Sequence, residues 1–262
     1  MMLASEVHGD GPTAIVCLHG FGLNRGAMVA AMEPALGDQP GLRRLYPDLP
    51  GAGESPAGPE HSDGVRDAVL DWVDATLGDA RFLLAGHSYG GYLAAAIARQ
   101  RPRQVAGLLL ACPGVKAEIP DRDLPADPPP DWQPAVPDDL RDDLLAGVGN
   151  RTPEAAARVA EILVRHSGGD DDYRQRLRAT GYRLSDEGTP FTYAGPTSII
   201  TGAEDRISGF RDQFAALGSY PAGSFAVLAD AGHYVPFEQP SAFRDLTHHW
   251  LSRCAEGIGS RA

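Results

Sequence analysis

The sequence has little positive charge and no long apolar run. Its 23 basic residues, of which Lys116 is the one lysine, are outnumbered by 35 acidic residues, and the net charge is −12. A surface of that sign repels nucleic acid and anionic membranes, so we expect neither as a partner. No apolar run approaches the ~20 residues of a membrane-spanning helix, so no such helix is predicted.

Cysteine is scarce as well. Cys17, Cys112 and Cys254 are widely spaced and odd in number, a pattern that does not suit a disulfide framework. The first twenty residues do not place a basic segment before an apolar one, so we expect no secretory signal. Reduced cysteines and a cytoplasmic protein are therefore expected. No spacing of Cys, His and Asp suggests a metal site, and we expect neither a metal nor a cofactor.

Strand and helix patterns alternate over residues 1–112 and again over residues 191–262. Short apolar runs predict strands at residues 13–19, 43–46, 81–86, 105–111, 196–201 and 224–228. Apolar residues at helical spacing predict helices at about residues 26–36, 62–77, 89–101, 209–217 and 241–251. This alternation predicts one α/β domain with a mostly parallel sheet and helices on both faces.

The alternation is interrupted by residues 113–190, called the inserted segment below. Its first part, to residue 137, is dense in proline and aspartate and cannot be regular structure throughout. Thr152-Pro153-Glu154 has the N-cap, first-turn proline and early acid that open a helix, which we expect to reach about residue 166. A second helix is predicted at residues 171–184, so the insertion should be mostly helical.

The strongest chemical signal is Gly86-His87-Ser88-Tyr89-Gly90, between a predicted strand and a predicted helix. Glycines at these positions allow a turn so tight that a serine is projected above the sheet edge. The start of the following helix directs backbone N–H groups towards the reacting oxygen. This context predicts that Ser88 is a nucleophile.

A serine nucleophile needs a base, and the base needs a carboxylate that orients it. Glu204 and Asp205 follow the predicted strand at residues 196–201, and Asp230 and His233 follow the next strand. All of them should lie on the same edge of the sheet as Ser88. His233 is the candidate base and Asp205 the candidate acid, with the adjacent Glu204 as the leading substitute. His19 and His87 flank glycines inside turns, where a histidine usually braces the turn, so we favour a structural role for both.

The chain resembles the α/β-hydrolase superfamily, in particular its capped branch of esterases, lactonases and C–C hydrolases. The matching motifs are His19-Gly20-Phe21-Gly22, Asp48-Leu49-Pro50-Gly51-Ala52-Gly53-Glu54-Ser55, Gly86-His87-Ser88-Tyr89-Gly90, Gly202-Ala203-Glu204-Asp205 and Gly232-His233. The resemblance implies the α/β-hydrolase fold, with the inserted segment as a helical cap, or lid, over the site. It implies Ser88 as nucleophile, His233 as general base and acid, Asp205 as the orienting carboxylate, and an oxyanion hole of the backbone N–H groups of Phe21 and Tyr89.

These residues predict a serine hydrolase that cleaves a small-molecule ester, lactone or thioester through an acyl-Ser88 intermediate. The same residues would serve an acyltransferase of specialised metabolism or a C–C bond hydrolase, and a noncatalytic ligand-binding member of the fold is a further alternative. The cap decides between these reactions because it controls which acceptor reaches the acyl-enzyme.

Within the cap, the predicted substrate-binding residues are Trp132, Ile162, Leu163 and Tyr182. Its arginines at positions 174, 176, 178 and 183 have two interpretations. They could receive an anionic or carrier-protein-bound acyl substrate. They could instead form a solvated face balanced by the acids at positions 170–172, which we favour.

Overall fold

A sheet of seven strands forms the centre of the protein in this computed structural model, which describes residues 1–129, 132, 134 and 138–259. The strands are β1 Ser5–His8, β2 Thr13–Leu18, β3 Leu42–Pro47, β4 Phe82–His87, β5 Val105–Ala111, β6 Thr197–Gly202 and β7 Gly223–Leu228. Their spatial order is β1-β3-β2-β4-β5-β6-β7. β1 is antiparallel to β3, and the other neighbouring pairs are parallel.

Helices cover both faces of the sheet. They are α1 Arg25–Leu36, α2 Ser62–Leu77, α3 Tyr89–Gln100, α4 Arg141–Gly147, α5 Pro153–His166, α6 Asp171–Arg176, α7 Phe210–Ala216, α8 Val235–Glu238 and α9 Pro240–Gly259. Side chains alternate along β5, so Leu108 and Leu110 pack with α2 and α3, while Leu109 packs with α1 and α9. Burial on both faces explains why the strands appear in the sequence as continuous apolar runs.

The fold class predicted from the sequence is confirmed, with two local differences. β1 was not predicted because its four residues include Glu6 and the exposed Val7, which form no apolar run. The predicted helix at residues 171–184 is shorter: α6 continues as one wider turn, Leu177–Gly181. At Gly181 this turn packs directly against the backbone of Glu60. A Cβ on Gly181 would overlap the carbonyl oxygen of Glu60.

The inserted segment contains α4, α5 and α6 between β5 and β6. An apolar cluster joins it to the rest of the protein, with Leu23 and Tyr234 on one side and Leu144, Val159 and Leu163 on the other. Backbone contacts add to this junction where Leu23 and Ala52 bridge the end of α5 and the residues that follow it. No helix among the described residues combines the length and apolarity needed to cross a membrane.

Candidate active site

Ser88 lies in the sharp turn between β4 and α3. Its backbone has a positive φ of 53°, which residues other than glycine rarely adopt. The turn depends on its glycines. A Cβ on Gly86 would overlap the carbonyl group of Gly90, and a Cβ on Gly90 would overlap the carbonyl oxygen of Leu18. The backbone N–H of Ser88 donates to the Ala111 carbonyl at 3.0 Å, which ties the turn to β5.

Three strand ends on one edge of the sheet supply the predicted nucleophile, acid and base: Ser88 follows β4, Asp205 follows β6 and His233 follows β7, with β5 between β4 and β6. Ser88 and His233 line one cleft of about 430 Å³. Asp205 is fully buried beneath it. The structure therefore brings the three residues together, as the parallel sheet requires, since the carboxyl ends of its strands share one edge.

Asp205 is hydrogen-bonded to the imidazole of His233. His233 Nδ1 lies 3.1 Å from each carboxylate oxygen of Asp205. The backbone N–H groups of Ile207 and Ser208 both donate to Asp205 Oδ1 at 2.9 Å. Burial raises the pKa of Asp205, but the imidazole and the two N–H donors lower it by more, so the net shift in pKa is downward. Asp205 is thus held as a carboxylate that fixes the orientation of the imidazole through its Nδ1 atom.

Glu204, the alternative acid, points elsewhere. Its carboxylate pairs with Arg151 at 2.7 Å and with Arg206 at 2.5 Å. The side chain of Glu204 is 33% exposed, whereas that of Asp205 is 0% exposed. Of the two adjacent carboxylates, only Asp205 contacts His233 among the described residues.

Two further residues support this arrangement and were not found by sequence reasoning. Gln213 in α7 donates to Asp205 Oδ2 at 3.4 Å and to the Pro113 carbonyl at 3.1 Å. Glu238 in α8 accepts four backbone N–H groups at 2.7–3.1 Å, from Gly149, Asn150, Gly232 and Tyr234. Glu238 therefore fixes the loop that carries His233 against the inserted segment. Neither residue belongs to a motif, so only the folded chain reveals its contact.

His19 and His87 brace the site. His19 Nδ1–H donates to the Gly20 carbonyl, and its Nε2 accepts the N–H of Leu49, both at 2.9 Å. His87 Nε2–H donates to the backbone carbonyl of His233 at 2.9 Å. Burial and the neighbouring His233 lower the pKa of His87 to about 3, so its imidazole is neutral at pH 7. Both histidines have the structural contacts expected of turn-bracing residues.

The predicted oxyanion donors flank Ser88. Tyr89 is the first residue of α3, so its backbone N–H has no acceptor within the helix. Phe21 lies in the glycine-flanked turn after β2 and lines the cleft. Among the described residues, neither backbone N–H has an acceptor in a turn or loop. The two side chains pack edge to face, with ring centroids 5.5 Å apart.

The four predicted substrate-binding residues divide into two pairs. Leu163 and Tyr182 line the cleft. Trp132 and Ile162 are partly buried and pack against the apolar cluster beneath the inserted segment, and they are not among the described lining residues of the cleft. The aromatic side of the cleft is therefore formed by Tyr182, whose ring centroid lies 5.4 Å from that of Phe21.

Cys112, Asp205 and His233 bring three potential metal-binding atoms within 4.8 Å of one another. Their chemistry argues against a metal. The Cys112 thiol donates to the Gly232 carbonyl at 3.5 Å, and burial raises its pKa well above the usual value. A metal would also have to replace the hydrogen bond between Asp205 and His233. The cluster therefore fits proton transfer by His233 better than it fits metal binding.

The fold and site together define an α/β-hydrolase arrangement. The sequence profile of the family described as "Alpha/beta hydrolase family" matches residues 15–246. The chain therefore belongs to the alpha/beta hydrolase family. A solved alpha/beta superfamily hydrolase from Oenococcus oeni PSU-1 is similar, with a TM-score of 0.84 and 26% identity over 97% of this chain and 98% of that one.

Curated relatives are less completely matched. A human (lyso)-N-acylphosphatidylethanolamine lipase is 31% identical over 153 residues, which cover 56% of this chain and 42% of that protein. The dihydrolipoyllysine-residue acetyltransferase component of an acetoin cleaving system from Pseudomonas putida is 28% identical over 257 residues, 89% of this chain and 62% of that protein. The chain thus spans only part of the length of these relatives.

Proposed function

We propose that the protein is a serine hydrolase that cleaves a small-molecule ester, lactone or thioester through an acyl-Ser88 intermediate. The observation that carries the proposal is the buried Asp205–His233 pair in the same cleft as the strained Ser88. Asp205 occupies His233 Nδ1, which leaves Nε2 as the nitrogen that can exchange a proton with Ser88 Oγ.

The reaction would proceed in two halves. Ser88 Oγ attacks the carbonyl carbon while His233 Nε2 takes the hydroxyl proton, and the backbone N–H groups of Phe21 and Tyr89 stabilise the oxyanion. His233 then gives the proton to the departing alcohol or thiol, which leaves the acyl group on Ser88. A water molecule deprotonated by His233 then attacks the acyl carbonyl, and His233 returns the proton to Ser88 Oγ as the bond to the acyl group breaks and the acid is released. No metal or cofactor takes part in this sequence of steps.

The inserted segment, residues 113–190, would act as the lid. This role is supported by Leu140, Leu163 and Tyr182, which line the cleft together with Ser88. The lid would also decide whether water or another acceptor reaches the acyl-enzyme. Acyl transfer is the second candidate reaction, because the relative from Pseudomonas putida, an acetyltransferase component, matches 89% of the chain. A small-molecule acyl substrate and a cytoplasmic location are the other expectations from the sequence.

The proposal is tested by labelling with a neutral fluorophosphonate, followed by intact-mass and peptide analysis. Wild-type protein should gain one adduct on the peptide that contains Ser88, and Ser88→Ala should gain none while keeping its circular dichroism spectrum. Labelling elsewhere, or persistent labelling of Ser88→Ala, would contradict the proposal. Panels of esters, thioesters and lactones, each with and without an added alcohol or amine, then separate hydrolysis from acyl transfer.

A further inference from the structure

Three arginines line the cleft around Ser88, but only one of them is neutralised. Arg206 pairs with Glu204 at 2.5 Å. Arg122 and Arg178 line the same cleft and have no carboxylate within ion-pair distance among the described residues. The other arginines of the region 171–184 do have such partners, which are Asp171 for Arg174, Glu60 for Arg176 and Glu187 for Arg183. Arg178 is therefore the exception among the arginines of residues 171–184.

Arg122 is held rigidly without being neutralised. Its Nε donates to the Lys116 carbonyl at 2.9 Å, Nη1 to the Ile207 carbonyl at 2.6 Å and Nη2 to the Ala117 carbonyl at 2.7 Å. Burial lowers the pKa of Arg122, and the like charge of the nearby Arg178 lowers it as well, while the carboxylates of Asp205 and Glu187 offset only part of the shift. A partly buried cation beside a second cation is unfavourable unless an anion joins them.

Arg178 also lines the cleft and stacks on two aromatic rings. Its guanidinium carbon lies 5.0 Å from the centre of the Tyr182 ring and 5.8 Å from that of Phe21. Stacking on aromatic faces orients a guanidinium while leaving the N–H groups on its edge available. In the described part of the chain, neither the Arg178 guanidinium nor the Tyr182 hydroxyl has a hydrogen-bond partner. Arg122, Arg178 and Tyr182 therefore line the same cleft, and each has at least one N–H or O–H group without an acceptor among the described residues.

Acidic side chains do not cancel this charge. Asp143 lines the cleft, but it forms no ion pair with either arginine and lies close enough to Tyr234 to raise the pKa of that phenol. Burial and the neighbouring Asp142 raise the pKa of Asp143 itself. Because the whole chain has a net charge of −12, an anion drawn to the cleft would be held by these local cations rather than by the overall field.

We propose that the cleft binds a substrate that carries an oxyanion, a carboxylate or a phosphate, between Arg122 and Arg178, with the Tyr182 hydroxyl as a third donor. Guanidinium groups recognise both anions through paired, charge-assisted hydrogen bonds. The inference rests on the proposed function and deepens it, because it names the substrate class as an anionic ester or thioester.

The experiment compares kcat/KM for ester pairs that differ only in charge. 4-Nitrophenyl hydrogen adipate and 4-nitrophenyl methyl adipate place the difference in the acyl group. 4-Acetoxybenzoate and its methyl ester place it in the alcohol. The anionic member of at least one pair should be preferred about tenfold or more. Preference for neither anionic member overturns the inference. A 6-phosphooxyhexanoate ester, compared with the hydrogen adipate ester, identifies which of the two anions is favoured.

Arg178→Gln is the decisive variant, because Arg178 makes no hydrogen bond with any described residue whose loss would disturb the fold. It should lower the anionic-to-neutral ratio of kcat/KM about tenfold, mainly through KM, and Arg178→Glu should lower it further. Arg176→Gln is the matched control, since it removes the same charge two residues away, where the side chain pairs with Glu60 outside the cleft. Equal changes in Arg178→Gln and Arg176→Gln would overturn the inference, because they would show a general charge effect.

Failure of this inference can be separated from failure of the proposed function. The neutral fluorophosphonate reports on Ser88 without requiring an anion. Efficient labelling of Ser88 with no charge preference among the esters overturns the anion site alone. Absence of labelling overturns the serine hydrolase mechanism, and the inference with it.

Discussion

Individual side chains decide the chemistry where the chain offers two neighbouring candidates. Glu204 and Asp205 are adjacent, and both follow β6. The turn directs Asp205 inward, where two backbone N–H groups donate to its carboxylate, and directs Glu204 outward to Arg151 and Arg206. The neighbouring position is therefore not an equivalent substitute, because each carboxylate already has its own set of partners.

Replacing Asp205 should disable the base without unfolding the protein. In Asp205→Asn the imidazole of His233 loses the carboxylate that fixes its tautomer, and kcat should fall by about 10²–10⁴-fold. Glu204→Gln, the matched control, should change kcat by only a few fold, because Glu204 does not contact His233. The kcat of both variants is measured by steady-state kinetics with an ester that acylates Ser88 of the wild-type protein. A severe Glu204→Gln combined with a nearly silent Asp205→Asn would reverse the assignment.

The residues that the sequence made predictable are those held by short motifs. Ser88 is enclosed by glycines, and Asp205 and His233 each follow an apolar strand, so their edge of the sheet could be deduced. Gln213 and Arg122 could not be found in this way. Gln213 is an ordinary polar residue of a helix, and its role depends on a contact with Pro113, about a hundred residues earlier in the chain. Arg122 is an ordinary loop residue, and its proposed role depends on the lack of a carboxylate partner among the described residues.

At the scale of elements, α5 shows what helical periodicity predicts and what it omits. The start signal at Thr152 and the apolar spacing predicted a helix, and Thr152 caps it by accepting the N–H of Ala155. Successive residues of a helix point about 100° apart. Leu163 therefore lines the cleft while Ile162 does not. The sequence pattern identifies an apolar face but not the part of it that borders the substrate.

This adjacent pair provides a test of the proposed lid. Leu163→Ala should change the ratio of kcat/KM between esters of different acyl shape by the equivalent of about 1–3 kcal/mol. Ile162→Ala should leave that ratio unchanged and lower only the melting temperature, because Ile162 packs against the apolar cluster and is not among the described lining residues of the cleft. If both variants alter the ratio equally, or if Leu163→Ala scales all substrates alike, residues 113–190 do not control substrate choice.

At the scale of the whole molecule, buried neutral histidines connect stability to pH. His87 has a pKa of about 3 in the folded protein against an ordinary value of 6.5. Between these values the unfolded chain binds a proton that the folded chain does not, so stability falls as the pH is lowered. The slope contributed by one such group is about 1.4 kcal/mol per pH unit. Asp205, whose pKa is lowered, adds to the loss in more acidic solution.

The corresponding measurement is the melting temperature between pH 7 and pH 4. We expect His87→Gln to start at a lower melting temperature than the wild type but to lose less of it on acidification, because one acid-sensitive group is gone. His249→Gln is the control, since His249 is exposed in α9, and its curve should remain parallel to that of the wild type. A curve for His87→Gln that is parallel to the wild type would show that His87 does not titrate as described.

The ladder between β5 and β6 has a consequence for how such a protein can diversify. Residues 108–111 pair directly with residues 197–200, so both ends of the inserted segment are fixed by hydrogen bonds within the sheet. The strand ends that supply Ser88, Asp205 and His233 do not depend on the length of chain between these two anchors. The segment can therefore be exchanged for another that starts and finishes at these adjacent strands, provided that the replacement also supplies the backbone contacts by which Gly147, Gly149 and Asn150 hold the loop of His233. Such an exchange would keep the catalytic residues and change the lid above them.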